Sequence, residues 1–249
     1  MFRNGRIRVL GPIDLLTLDG VVSIGGRNLR ALFGMLVMSA CHAVSVDRLE
    51  QVIWGDNPPP SADSSLQSYV SRLRQVLGTE AVVSDNGSYT LVVAPDDVDA
   101  LQFERLLLNA IERRSDPVEC LALCRQALDL WRGPPYGELC DEDSFRLEAM
   151  RLEELRMATM ELSLEAELEL GRHDLVVAEL ESLVEEYPYR ERLWHLLITA
   201  LLRDGRRVEA MRHCARLRRI LAEAGLEVTD VVLHLEQQIL AGAEPMNSH

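Results

Sequence analysis

The chain has 249 residues, a mass of 28.0 kDa and a net charge of −14, with 47% apolar and 27% charged residues. That length predicts one large domain or two modest ones, and that composition excludes a wholly disordered chain. No apolar run is long enough to cross a bilayer, no leader-like stretch follows Met1, and the acidic total argues against nonspecific nucleic-acid binding; the expectation is a cytoplasmic protein.

The charge is unevenly spread. Residues 1–95 carry eight arginines and eight acids, whereas the whole net charge of −14 lies in 96–249, and the chain has no lysine. A neutral first segment can still present a local basic face, while an acidic remainder favours a protein partner. Cys41, Cys120, Cys124, Cys140 and Cys214 are read as reduced, mostly buried thiols. Cys120 and Cys124 lie four apart with no second pair to complete a metal site, so neither a metal nor another cofactor is expected.

In chain order, Ile7–Pro12 reads as a strand, and Asp14–Thr17 with Val21–Ile24 as a hairpin turning at Asp19-Gly20. From Arg27 the period becomes helical through Leu29, Leu32, Phe33, Leu36 and Val37, with an end near Cys41-His42. Ser45 is placed to cap a second helix that buries Val46, Leu49, Val52 and Ile53. A loop, Trp54–Pro60, leads to a third helix capped by Ser61 and running to Leu77. Strands at Ala81–Ser84 and Tyr89–Val93 flank Asn86-Gly87, a strong hairpin signal.

Strands, three helices and a hairpin follow the order of a winged helix, whose third helix enters the major groove. The polar face of that helix carries Ser64, Ser65, Gln67, Ser68, Ser71, Arg72, Arg74 and Gln75 and, on this reading, no acid. Gln67, Ser68 and Ser71 are candidates for groove contacts, and Arg72 for base or phosphate. Ser64, Ser65 and Arg74 are candidates for backbone contacts, although Arg74 lies near the apolar stripe and could pair with an acid of the second segment instead. Arg27 and Arg30 at the first helix are candidate phosphate contacts, and Asn86 in the hairpin turn completes the set. Trp54 and Trp131 are read as packing residues rather than a base stack. The run Asp141-Glu142-Asp143 fits solvated acids at a helix start better than a partner contact.

Ala94–Asp97 marks the expected domain boundary. Beyond it the pattern is helical nearly throughout. Gly171-Arg172 recurs as Gly205-Arg206, and Ala166, Leu168 and Leu183 recur as Ala200, Leu202 and Leu217, all 34 residues on. That period is the tetratricopeptide signature, an architecture that binds proteins and rarely catalyses.

Local matches extend over roughly residues 6–241: Val9–Pro12, Arg27–Leu32, Val44–Leu49, Trp54–Asp56 and Leu66–Arg74 in the first segment, with Leu130–Pro135, Arg151–Arg156 and Arg190–Trp194 in the second. Together they resemble the actinobacterial SARP regulators (Streptomyces antibiotic regulatory proteins), which couple an OmpR-type winged helix to a bacterial transcriptional activation domain of tetratricopeptide type. The resemblance implies a mainly α fold with a small β component: a winged helix-turn-helix over 1–95, an all-α tetratricopeptide-like domain over 96–242 and a disordered tail at 243–249. It also implies an activator that binds direct repeats in double-stranded promoter DNA, as a homodimer at least on DNA, and recruits RNA polymerase holoenzyme. The genes expected under its control form a biosynthetic, secondary-metabolite cluster. Larger relatives append an ATPase or sensor domain; a chain ending at His249 reads as a small stand-alone member, without a receiver domain or a lysine-containing phosphate loop.

Two departures from the family pattern stand out. Asp85 lies in the hairpin where relatives carry a basic residue and Pro-Gly, and Gln75 stands where many carry arginine. They leave an alternative, an interaction scaffold or modulator of a related regulator that has lost DNA binding. An enzyme is not expected: no nucleophile–base constellation, metal set or nucleotide loop is present, and the histidines are scattered.

Overall fold

The computed structural model describes residues 5–227, Leu233, 235–237 and Ile239; the tail expected at 243–249 lies outside them. The chain divides into two compact units. The first comprises the residues up to Leu108 together with Arg125–Met157, the second Asn109–Cys124 together with the chain from Ala158 onward. The first unit therefore contains the residues of the expected winged helix and part of the helical segment.

Three short strands, β1 (Gly5–Arg8), β2 (Asp14–Thr17) and β3 (Gly20–Ser23), form an antiparallel sheet in that order. Alternation places Ile7, Leu15 and Val22 in one cross-strand row and Arg6, Leu16 and Val21 in the next. Ile7 and Leu15 are buried, whereas Leu16 and Val21 face outward. Helix α1 (Arg27–Met38) buries Leu29, Leu32, Phe33 and Leu36. It stops short of the expected Cys41-His42, because the Ser39 and Ala40 N–H groups fold back on the Met35 and Val37 carbonyls. Cys41 then leaves in a left-handed conformation, φ 63°, its N–H bonded to the Leu91 carbonyl at 2.8 Å.

A two-residue strand, β4 (Val44–Ser45), leads into α2 (Val46–Trp54) and α3 (Ala62–Leu77), followed by β5 (Val82–Asp85) and β6 (Ser88–Leu91). The second sheet has the order β4-β6-β5, with Val44 opposite Tyr89. Ser45 caps α2 as expected, its Oγ accepting the Arg48 N–H at 3.2 Å. Ser61 does not cap α3. Its backbone, with ψ 14°, is not in the extended conformation of a capping residue, and the Ser64 hydroxyl donates to the Ser61 carbonyl at 3.0 Å. Asn86 and Gly87 close the β5–β6 hairpin at φ 42° and 75°, the paired positive angles that an Asn-Gly turn supplies at low steric cost.

Helices α4 (Asp99–Glu112), α5 (Pro117–Leu128) and α6 (Asp143–Glu169) contribute residues to both units, whereas α7 (His173–Glu186), α8 (Glu191–Arg203) and α9 (Arg207–Glu223) belong to the second. There α7 packs on α8 and α8 on α9. The sequence repeat is a repeat of backbone geometry. Gly171 and Gly205 have φ 77° and 75°. Their N–H groups reach Leu168 O and Leu202 O at 3.0 and 3.1 Å, and the following Arg172 and Arg206 N–H groups reach Glu167 O and Leu201 O at 3.1 and 2.8 Å. Both are Schellman closures, in which a left-handed residue lets two orphan carbonyls find donors. Buried Val176, Leu180 and Leu183 recur 34 residues on as buried Ala210, Cys214 and Leu217. Trp194 is fully buried and donates its indole N–H to Pro188 O at 2.9 Å. Among the described residues no helix is long and apolar enough to cross a membrane.

Candidate nucleic-acid interface

Helix α3 is amphipathic in a way that fixes what it can offer. Leu66, Val70, Leu73 and Leu77 are buried. Ser64, Gln67, Ser68, Ser71, Arg72 and Gln75 are exposed, and Ser65 is half-buried. Arg72 has no carboxylate partner among the described residues, so its five donors face solvent. The exposed surface is not free of acid, contrary to the sequence reading: Asp63 in the first turn of α3 is exposed. Burial first, then the nearby Asp63 and Asp47 carboxylates, raise Glu50 of α2 above the ordinary glutamate range. Three acids thus gather where α2 meets the start of α3.

The other candidate cations are already engaged. Arg74 is half-buried and meets no acid among the described residues. Its Nε donates to Val82 O at 2.8 Å and a terminal nitrogen to Ser84 Oγ at 3.3 Å, fastening the last turn of α3 to β5. Arg27 pairs with Glu142 at 2.7 Å. Arg30 donates through Nε to Glu138 Oε1 at 3.0 Å and through NH1 to Ile24 O at 3.0 Å. Two of the acids that precede α6 are therefore partners of α1, and Glu142 of the Asp141–Asp143 run is not merely solvated. Next to Arg27, Asn28 donates to the Tyr69 hydroxyl at 3.5 Å, which sets the start of α1 beside α3.

The hairpin is short and tied down. The Gly87 carbonyl accepts the Val46 N–H at 3.0 Å, so the turn carrying exposed Asn86 lies against the start of α2. Asp85 is exposed in the same turn. Arg48, on the first turn of α2, is exposed and has no carboxylate partner among the described residues. Arg48 is not among the candidates named from the sequence; its place three residues after a capping serine is the signal that could have found it.

The tryptophans pack, as expected. Trp54 stacks on Tyr69 at 6.4 Å between centroids, and Trp131 meets Phe103 edge-on at 5.2 Å with Arg156 over its face. Burial pushes the Cys124 and Cys214 thiols up to about 12, which suits inert core residues rather than nucleophiles or ligands.

The bacterial transcriptional activator domain family matches residues 98–240. The chain is 34% identical to the regulatory protein DnrI of Streptomyces peucetius, over 94% of this chain and 92% of that one. It is 33% identical to the regulatory protein AfsR of Streptomyces griseus over 97% of its own length, but spans only 25% of AfsR. The solved structure of Mycobacterium tuberculosis EmbR in complex with a low-affinity phosphopeptide superposes with a TM-score of 0.92 at 29% identity, over 98% of this chain and 66% of that one. With an activator-domain match over more than half its length and a relative of equal extent, the chain belongs to the SARP family of transcriptional regulators.

Proposed function

We propose that the chain is a cytoplasmic, non-enzymatic transcription activator that binds double-stranded promoter DNA through α3. The observation that carries this reading is the exposed α3 face, where Gln67, Ser68, Ser71 and Arg72 stand together and, among the described residues, Arg72 has no carboxylate partner. Hydroxyl and amide groups read base edges, and a free guanidinium suits guanine or phosphate. Arg48 adds a second free cation at the start of α2, and Asn86 supplies the hairpin contact. Few such cations imply a modest salt dependence and a need for two copies on direct repeats. Residues 96–242 would then make the protein contacts that recruit RNA polymerase holoenzyme. DnrI, named a regulatory protein, and the Streptomyces coelicolor transcriptional regulator RedD, 31% identical, support a regulatory role, and membership of the SARP family points to a biosynthetic cluster as the target.

Fluorescence anisotropy tests the proposal, with promoter duplexes from the protein's genomic neighbourhood against scrambled duplexes at several salt concentrations. Specific binding that Arg72→Ala weakens supports it; equal binding to both duplexes removes it. A second reading, a scaffold that no longer binds DNA, is favoured by the acids Asp47, Glu50, Asp63 and Asp85 around the same surface. It expects no binding to any duplex and capture of a related regulator.

A further inference from the structure

Arg27 and Arg30 begin a helix set beside α3 by the Asn28–Tyr69 contact, where a duplex on α3 would bring its backbone closest to α1. Both guanidiniums are held by carboxylates from outside the 1–95 segment, Arg27 by Glu142 and Arg30 by Glu138. These acids do not wander into place. Tyr136 is buried and its N–H bonds to Val9 O at 2.7 Å. The Glu142 carbonyl accepts from both Phe145 and Arg146 at 2.8 Å, and Leu139 and Phe145 are fully buried. The backbone on either side of each acid is thus fixed, and the carboxylates are presented to α1 by a rigid turn.

The pairs themselves are open to exchange. Each pair has one exposed partner: the Arg27 side chain is 50% exposed against 26% for Glu142, and the Glu138 side chain 56% against 24% for Arg30. Ion pairs with one partner in solvent contribute modestly to stability, so they are weak as glue between the two stretches of chain. A phosphate oxygen is chemically the same kind of acceptor for a guanidinium as a carboxylate oxygen, and forms charge-assisted bonds of similar strength.

We propose that Glu138 and Glu142 are internal competitors of DNA phosphate: they occupy Arg27 and Arg30 in the free protein and set how tightly it grips a duplex. This rests on the DNA-binding reading above. Binding exchanges each Arg–Glu pair for an Arg–phosphate contact, so part of the phosphate attraction is spent on separating the pair. The acids therefore lower affinity for every sequence alike, and specific contacts from α3 carry a larger share of the discrimination.

The test compares wild type with Glu138→Gln/Glu142→Gln, by anisotropy on the promoter duplex and a scrambled duplex across a salt series. The expected result is about tenfold tighter binding to both duplexes at every salt concentration, because the variant forms the same Arg–phosphate contacts without first separating a pair. Adding Arg27→Ala/Arg30→Ala to the glutamine variant is expected to erase that gain. Asp141→Asn/Asp143→Asn removes two charges next door and is expected to leave affinity near wild type; an equal gain there would mean bulk charge is responsible and overturn the proposal. Thermal melts of every variant identify loss of fold. Wild type that binds in an Arg72-dependent way alongside an unchanged glutamine variant overturns this inference alone. Failure of both to bind any duplex overturns the DNA-binding reading with it.

Discussion

The carboxylate of Asp99, on the first turn of α4, accepts the backbone N–H of Val9 at 2.8 Å, ninety residues back along the chain. Its second oxygen accepts the Leu10 N–H at 3.1 Å, and Arg132 stands 3.6 Å away. Arg132 in turn reaches Asp14 at 3.1 Å, and Asp14 pairs with Arg8. Strand β1, the turn after it and the helical segment are thus locked by one buried acid that satisfies two backbone donors no strand partner reaches. Asp99→Ala leaves both donors buried and unpaired, and is expected to lower stability by about 3 kcal/mol in urea unfolding. Asp99→Asn keeps one acceptor and is expected to lose less. Equal stability of Asp99→Ala and wild type would remove the lock.

Arg72 and Arg74 sit two residues apart on α3 and should respond differently. Arg72→Ala removes a solvent-facing cation, so DNA affinity should fall and the salt slope should flatten by about 0.9 if the contact is to phosphate. Arg74→Ala frees the Val82 carbonyl and Ser84 hydroxyl. It should lower stability by about 1 kcal/mol, with no change in salt slope. A flattened slope for Arg74→Ala would mean that its guanidinium leaves β5 when DNA binds.

Gly171 and Gly205 hold the repeat together by conformation alone, because nothing lies within 4 Å of where a Cβ would stand. Their positive φ makes alanine strained by about 1–2 kcal/mol at each site. Gly171→Ala and Gly205→Ala should each show that loss in denaturant unfolding, and asparagine at the same positions should recover part of it. No loss at either position would mean that the closures are not needed.

Acid should weaken the second unit in two stages. Burial is the largest cause that lowers His195, with Arg192 and Arg203 adding to it and Glu165 opposing. Burial also leads for His213, with Arg216 lowering and Glu181 raising it. The unfolded chain protonates these rings near the ordinary value of about 6.5 while the folded chain still resists, so stability is full above that pH and declines as pH falls through it. Glu165 behaves as a depressed carboxylate: burial raises it, but Arg114 and Arg192 outweigh burial. Its contribution is lost at lower pH, as the carboxylate protonates. Calorimetric melting should show a first fall in Tm between about pH 7 and pH 5.5, reduced in His195→Leu/His213→Leu. A flat Tm across that interval in wild type would contradict the burial of both rings.

Much of the molecule was legible in the residues. Helical and strand periods located α1 to α3 and the Asn86-Gly87 hairpin because each is written locally, in side-chain alternation and turn chemistry. The 34-residue repeat was legible for the same reason, since a left-handed closure needs glycine wherever it recurs. The α3 face follows from helical spacing, and that spacing also puts Asp63 near the exposed side, an acid the polar face named from the sequence does not include. What no local pattern contains is the partner of a long side chain. Arg27, Arg30, Arg72 and Arg74 look alike in sequence, and only the folded chain separates the free Arg72 from Arg74 on a strand carbonyl and from Arg27 and Arg30 on acids more than a hundred residues away. A flexible guanidinium bonds to whichever acceptor the fold brings within reach, so its role is decided by tertiary distance and not by the residues beside it.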